Sequence, residues 1–265
     1  MLKGADENVS PIYPLDHFSF STVYWKLAGC KYRFFNSKLS EDAIKQEPTD
    51  AMIKGKAGHR LLELAFRMKA VGQLTKDILM LENMTFRYPL NSHMIPYIYD
   101  FVMASKLSGL AEKEIRWTFD GIAFISFADF IDGDIKNGEH AIIDWKFMKR
   151  NDPINAVNVM QLIFYHIGLK YADNADLRPL NKTQSIYKGN IVSFVERIKQ
   201  QQLDIYPHEY EFSQADVDYV EKDLREQIEY FKVLRDSKMW PKERGRHCTS
   251  CGLFKQCNPF HVESE

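Results

Sequence analysis

Asp144, Trp145 and Lys146 close an apolar run, Ala141-Ile142-Ile143, and lie shortly downstream of Asp129. An acid, a gap and then Asp-x-Lys at the end of a strand is the arrangement of a metal-dependent phosphodiesterase. Two carboxylates hold a divalent cation. Side chains alternate along a strand, so Lys146 projects to the same side as Asp144. One cluster then combines a metal, a water to be activated and a cation to meet a phosphate. The bland alternative is a solvated ion pair on an edge strand.

Other residues have types and spacings that suit the same chemistry. Gly55, His59 and Glu63 recur every fourth position in a helical stretch, as do Gln161 and Tyr165 in another, so each set shares a helix face. His59 reads as a metal ligand or as a packed or capping histidine. Gln161 and Tyr165 read as support for the site or as ordinary helix surface and core. Glu114, one hairpin before Asp129, is a further acidic candidate or a solvated strand residue. Asp132 and Asp134 read as turn residues and His166 as structural. Cys248-x-x-Cys251, followed by Cys257, is a compact ligand set with Cys30 as its distant fourth member. Thiolates suit iron–sulfur clusters and zinc alike, so spacing leaves a cluster, tetrahedral Zn²⁺ (with His247 or His261 able to replace one cysteine) and four unliganded thiols all open.

The elements that must position these groups follow in order. Residues 1 to about 17 form an irregular arm containing Pro11 and Pro14. Hydroxyls from Ser19 to Thr22 cap a short helix that ends near Cys30, and residues 36–48 are a polar loop. A second helix starts near Thr49 and carries His59, and a third spans Ser92 to Leu107 with Pro96 in its first turn. Three strands follow: Glu112–Phe119, Gly121–Ile131 after the Asp120-Gly121 turn, and His140–Phe147. Residues 153–172 form a helix, 184–211 are strand plus connector, and Ser213 to Asp216 is a capping box that opens a last helix. The chain is therefore α/β, with a central mixed sheet flanked by helices.

Bulk properties bound the reading. The 265 residues are ample for a core, and 45% apolar with 27% charged is ordinary for a globular chain. A formal net charge of −1 advertises no polyanion, so any nucleic-acid surface is a local groove. Lys3, Asp6 and Glu7 are unlike a signal peptide and no run is long enough to span a bilayer, so the expected place is the cytoplasm, or the host cytoplasm if viral, with no membrane partner. Four cysteines in a reducing compartment favour metal ligation over disulfides. No Gly-x-x-x-x-Gly-Lys-Ser/Thr loop appears, so ATP-driven unwinding would fall to a partner.

At these residues the chain resembles the RecB-type nucleases of the PD-(D/E)XK superfamily, and most the branch with the CRISPR-associated RecB-like exonucleases and the AddB nuclease domain. The resemblance runs from about Ser19 to Cys257. It rests on Gly55/His59/Glu63, Asp129-Phe130-Ile131-Asp132, Asp144-Trp145-Lys146 and Gln161/Tyr165 in that order. Two positions depart: Ser126 replaces a common glycine and Phe147 a common Thr or Ser. The resemblance implies a PD-(D/E)XK (restriction-endonuclease-like) core. It implies Mg²⁺ or Mn²⁺ on His59, Asp129, Asp144 and the Trp145 backbone carbonyl, with Asp129, Asp144 and Lys146 catalytic and Gln161 and Tyr165 supporting. It also implies a 4Fe–4S cluster on Cys30, Cys248, Cys251 and Cys257, with Zn²⁺ as the alternative. The expected layout is an arm (1–18), a helical region with Cys30 and His59 (19–110), a nuclease core (111–236) and a cysteine-rich tail (237–265) that completes the cluster, integrated as one domain. The expected activity is exonucleolytic hydrolysis of DNA ends or single strands, alongside helicase, recombination or CRISPR adaptation proteins. A non-catalytic DNA-binding subunit and a redox- or metal-sensing protein are the alternatives.

Overall fold

A computed structural model describes residues 17–27, 29–39, 48–133, 140–150, 152–180, 184, 186–243 and 248. The chain divides into two compact units. One is formed by Pro48–Asp223 and the other by the segments on either side of it.

The larger unit is built on a five-stranded sheet in the order β1-β2-β3-β4-β5, with β1 Gly109–Phe119, β2 Ile122–Asp132, β3 Ala141–Met148, β4 Tyr187–Arg197 and β5 Gln202–Phe212. The β3–β4 pair is parallel and the others are antiparallel, so the sheet is mixed. A parallel pair needs a crossover, here helix α5, Ala156–Lys170, which also packs on β1, β2 and β3. Asp120 and Gly121, at φ 47° and 78°, make the tight β1–β2 turn that their types foretell.

Helices α2 (Asp50–Ala70), α3 (Lys76–Thr85) and α4 (Met94–Ala104) share one hydrophobic core with sheet residues Phe130, Ile143, Trp145, Val192, Phe194 and Leu203. The Thr49 side chain caps α2 by accepting the Met52 N–H at 3.3 Å, and Asn155 caps α5 by accepting the Asn158 N–H at 2.9 Å. At Gly58 a Cβ would stand 2.3 Å from the Phe147 ring, so only glycine lets α2 approach this strand. On α5, every residue from Leu162 to Leu169 is buried, and Phe164 meets Trp117 edge-on at 5.2 Å.

The smaller unit joins the two ends of the chain. A π-helical stretch, Ser21–Leu27, precedes helix α1, Lys31–Lys38. Phe34 is fully buried, edge-on to Phe18 at 6.1 Å and to Phe231 at 6.0 Å, and Phe35 stacks on Trp240 at 5.3 Å. Lys31 pairs with Glu243 at 2.7 Å, and the Tyr32 N–H donates to the Pro241 carbonyl at 3.1 Å. The last helix, α6, runs Gln214–Ser237; its capping box is present, since Ser213 N–H donates to Asp216 at 2.8 Å and Asp216 N–H to the Ser213 hydroxyl at 3.3 Å.

Three local expectations are corrected. The first helix ends at Leu27, and Cys30 is instead the buried N-cap of a further helix, α1, whose last residues, 36–38, fall in the expected loop. Residues 184–211 contain two long strands, β4 and β5, whose connection turns on left-handed Gln201 (φ 49°) without the glycine or asparagine that marks such turns. Pro207 is tolerated because β5 is an edge strand. Helix α3, capped by Thr75 accepting the Ile78 N–H at 3.2 Å, is additional. Among the described residues, no helix is long and apolar enough to cross a membrane.

Candidate active site

The β2–β3 pairing is short. It covers Phe130↔Ile143, Ile131↔Ile142 and Asp132↔Ala141, and then the strands part. Asp129 and Asp144 are the first residues past that fork. Asp129 replaces the missing ladder with its side chain: its Oδ2 accepts the Trp145 backbone N–H at 2.7 Å, and both acids are buried. The N–H and C=O of one strand residue serve the same neighbour, so the Trp145 carbonyl lies on the Asp129 edge of β3.

The hairpin supplies a third carboxylate. Phe119 pairs with Ile122, and counting outward places Glu112 opposite Asp129, at the one step within the β1–β2 ladder where no pairing forms. Glu112 sits at φ 48°, a conformation rare for a non-glycine residue. From α2, His59 Nδ1 lies 3.1 Å from Asp129 Oδ1 and 3.6 Å from Glu112 Oε1. The second distance is too long for a hydrogen bond, and Glu112 Oε1 is buried with no hydrogen-bond partner among the described residues. Ligand atoms of His59, Glu112 and Asp129 all lie within 4.8 Å of one another. One imidazole and two carboxylates, one of them with an orphaned buried oxygen, fit a hard divalent cation.

The lysine faces the same fork. Lys146 Nζ is 2.7 Å from Asp144 Oδ2 and donates to Gln161 Oε1 on α5 at 3.4 Å. Gln161 Nε2 in turn donates to the Tyr165 hydroxyl at 2.7 Å. The Lys146 approach is off-angle, so Asp144 Oδ2 has an ion pair without a well-formed hydrogen bond.

Electrostatics express this crowding. Burial opposes a charge on His59, but the carboxylates of Asp129 and Glu112 overcome it and raise its pKa from 6.5 to about 10. Burial, followed by the neighbouring Asp129 charge, lifts Asp144 from 3.8 to about 6 against the pull of Lys146. Burial and nearby carboxylates push the Tyr165 phenol well above its usual range, so it stays neutral. Unmatched acids around a cleft of this kind mark functional sites.

A sheet forked at two acids, with Asp-x-Lys on one branch and histidine on the covering helix, is set beside known proteins by sequence comparison. The profile of the PD-(D/E)XK nuclease superfamily covers residues 17–258. The chain belongs to the PD-(D/E)XK nuclease superfamily. Asp144-Trp145-Lys146 has the (D/E)-x-K form that the superfamily's name spells out. Among solved structures, a "Putative exonuclease" from Eubacterium rectale has the same fold, with a TM-score of 0.50, 14% identity, and 100% of this chain and 96% of that chain covered. A protein named "SSO0001" gives a TM-score of 0.31 at 13% identity over 79% of this chain and 97% of its own. A comparison with curated proteins finds no match.

The structure thus brings His59, Asp129, Asp144, the Trp145 backbone and Lys146 to one fork, with Gln161 and Tyr165 behind the lysine. It does not bring Glu114 there: that carboxylate forms a surface ion pair with Arg116. Glu112 takes the position instead. Glu63 is held by Arg60 at 2.6 Å and Arg67 at 3.1 Å. Asp132 Oδ1 accepts the Ser108 N–H at 2.8 Å, as a turn residue does, and Asp134 lies outside the described residues. Cys251 and Cys257 also lie outside them, Cys30 is buried, and the Cys248 thiol donates to the Glu243 carbonyl at 3.9 Å.

Proposed function

We propose that this chain is a Mg²⁺- or Mn²⁺-dependent deoxyribonuclease that hydrolyses phosphodiester bonds at DNA ends or in single strands. The observation that carries this reading is the His59–Glu112–Asp129 ligand cluster beside the Asp144–Lys146 pair, inside a nuclease-superfamily chain.

The bound cation would supply Lewis-acid polarisation of the phosphate and a more acidic water. His59, Asp129 and Asp144 would hold it, with Glu112 and the Trp145 carbonyl as further oxygen donors. The chain's own groups do the rest. Trp145 N–H fixes the Asp129 carboxylate, so this ligand is preorganised by the sheet. Lys146 orients the attacking water and meets the negative charge that builds on the phosphoryl oxygens. Gln161, braced by Tyr165, holds the Lys146 ammonium toward the fork.

The similarity to a protein named as an exonuclease favours action at ends. The sequence resemblance favours work on DNA in recombination, repair or CRISPR-type processing, with a helicase or adaptation partner. The same resemblance assigns Cys30, Cys248, Cys251 and Cys257 to a 4Fe–4S cluster, with Zn²⁺ as the alternative occupant. Its role would be structural, closing a very long loop between the ends of the chain. The test is cleavage of end-labelled single- and double-stranded DNA with Mg²⁺, Mn²⁺ or EDTA. Metal-dependent degradation supports the reading, and inert protein on every substrate refutes it.

A further inference from the structure

Immediately beyond Lys146, β3 enters a cavity that the proposed chemistry leaves unused. Its volume is about 280 Å³, and it lies between the first turns of α2, the loop before α4 and the far ends of β3 and β4. Leu90, Met94, Phe147 and Phe194 give it apolar walls. Phe147 stacks on Phe194 at 4.9 Å with planes 12° apart, which fixes the ring on the His59 side of the sheet, 6.0 Å from the imidazole between centroids. Lys54 and Lys149 stand on the rim, and Ile198 is 68% exposed at the mouth. Gly55 lines both this cavity and an open hollow holding His59, Lys56 and Glu112, and a Cβ at Gly55 would meet nothing within 4 Å. The two spaces therefore meet over a bare stretch of helix.

We propose that this cavity is a subsite for one unpaired nucleobase of the DNA strand being cleaved. The inference rests on the deoxyribonuclease reading and adds to it a requirement for a single-stranded segment beside the scissile phosphate. Three features select this occupant. The stacked Phe147 and Phe194 rings with Leu90 and Met94 offer an apolar wall to the π-face of any base, hence a sequence-tolerant contact, and the one lining carboxylate, Glu196, is taken up by Asn91 and His93. The rim carries two lysines on which the flanking phosphates can rest, whereas an apolar peptide side chain would find no use for them. The Phe147 ring centroid lies 6.0 Å from that of His59, so a strand with a phosphate at the fork has its neighbouring base within reach. Base-paired DNA cannot offer that base without unstacking it.

The test is an abasic walk. Single-stranded oligonucleotides, each lacking one base at a successive position from the end, are cleaved by the wild-type protein with Mg²⁺ or Mn²⁺, and kcat/KM is measured. In parallel, 2-aminopurine is moved through the same positions and its fluorescence is read in EDTA, where no cleavage occurs. The expected result is a loss of about tenfold at one position relative to the cut, with 2-aminopurine quenched at that same position. Met94→Trp, which fills the cavity without touching the fork, should flatten both profiles while leaving the protein folded by circular dichroism. Normal cleavage with a flat wild-type abasic profile would overturn the subsite alone. Absence of both cleavage and binding would instead overturn the deoxyribonuclease reading on which it rests.

Discussion

Asp129 accepts the backbone N–H of Trp145 at 2.7 Å, at the point where β2 and β3 cease to pair. A side chain here completes a strand edge and stays available to a ligand. The sheet thereby holds the acid in place, and the remaining site residues are arranged around it.

Glu112 is the least expected member of the site and the easiest to test. Glu112→Gln should weaken Mg²⁺ or Mn²⁺ binding by about tenfold or more, because it removes a charge from a site with few ligands. The readout is the rise in melting temperature on adding metal, compared with wild type. Glu114→Gln, on the exposed Arg116 pair, should leave that rise unchanged. Equal metal response in both variants would remove Glu112 from the site.

Asp144 should be a stability liability that function maintains. Its folded pKa, about 6, lies above the 3.8 of an ordinary aspartate. The sign follows: stability from this group is present below pH 3.8 and is lost as pH rises through about 6. In metal-free protein the melting temperature of Asp144→Asn, relative to wild type, should therefore climb between pH 4 and pH 7. A difference that stays constant across that range would show that the site does not strain this acid.

His166 should titrate with the opposite sign. It is buried 3.2 Å from His140 Nε2 and 3.0 Å from the Lys188 carbonyl. Burial, followed by the neighbouring His140, lowers its pKa from 6.5 to about 3. The unfolded chain then binds a proton that the folded chain refuses. Stability from this group is complete above pH 6.5 and is lost as pH falls from there toward about 3. His166→Gln should lose less stability than wild type between pH 7 and pH 4.5, as measured by urea midpoints. Parallel pH profiles would contradict this.

Much of the fold was legible because its signals are local. Thr49, Asn155 and Ser213 sit at helix starts, and Asp120-Gly121 supplies the positive φ values of a hairpin turn. The β4–β5 connection carried no such mark, so two strands merged into one ambiguous stretch. The site was legible where it follows a motif. Glu112 was missed because strict alternation puts Glu112 and Glu114 on the same face, and the left-handed backbone at Glu112 is invisible in residue types. The hairpin register could have found it, since counting back from the turn places Glu112 opposite Asp129. How the fork and α2 converge depends on long-range packing, such as Gly58 against Phe147, which no local pattern encodes.

The cysteine set yields a separate outcome. Protein purified without oxygen should carry iron and a visible absorption band, and Cys30→Ala should lose both together with about 2 kcal/mol or more of stability, since a cross-link between distant segments is removed. Zinc in place of iron would select the alternative occupant. A metal-free wild type of unchanged stability would leave the aromatic packing of Phe34, Phe35 and Trp240 as the tie between the two ends of the chain.

The most direct test of the central claim is cleavage of end-labelled DNA by wild type, Asp144→Ala and Lys146→Ala, each with Mg²⁺, Mn²⁺ or EDTA. The site geometry predicts metal-dependent cleavage by wild type that EDTA abolishes and that each substitution reduces by at least about a hundredfold. Undiminished cleavage by Asp144→Ala, or an inert wild type that still binds metal, would contradict it.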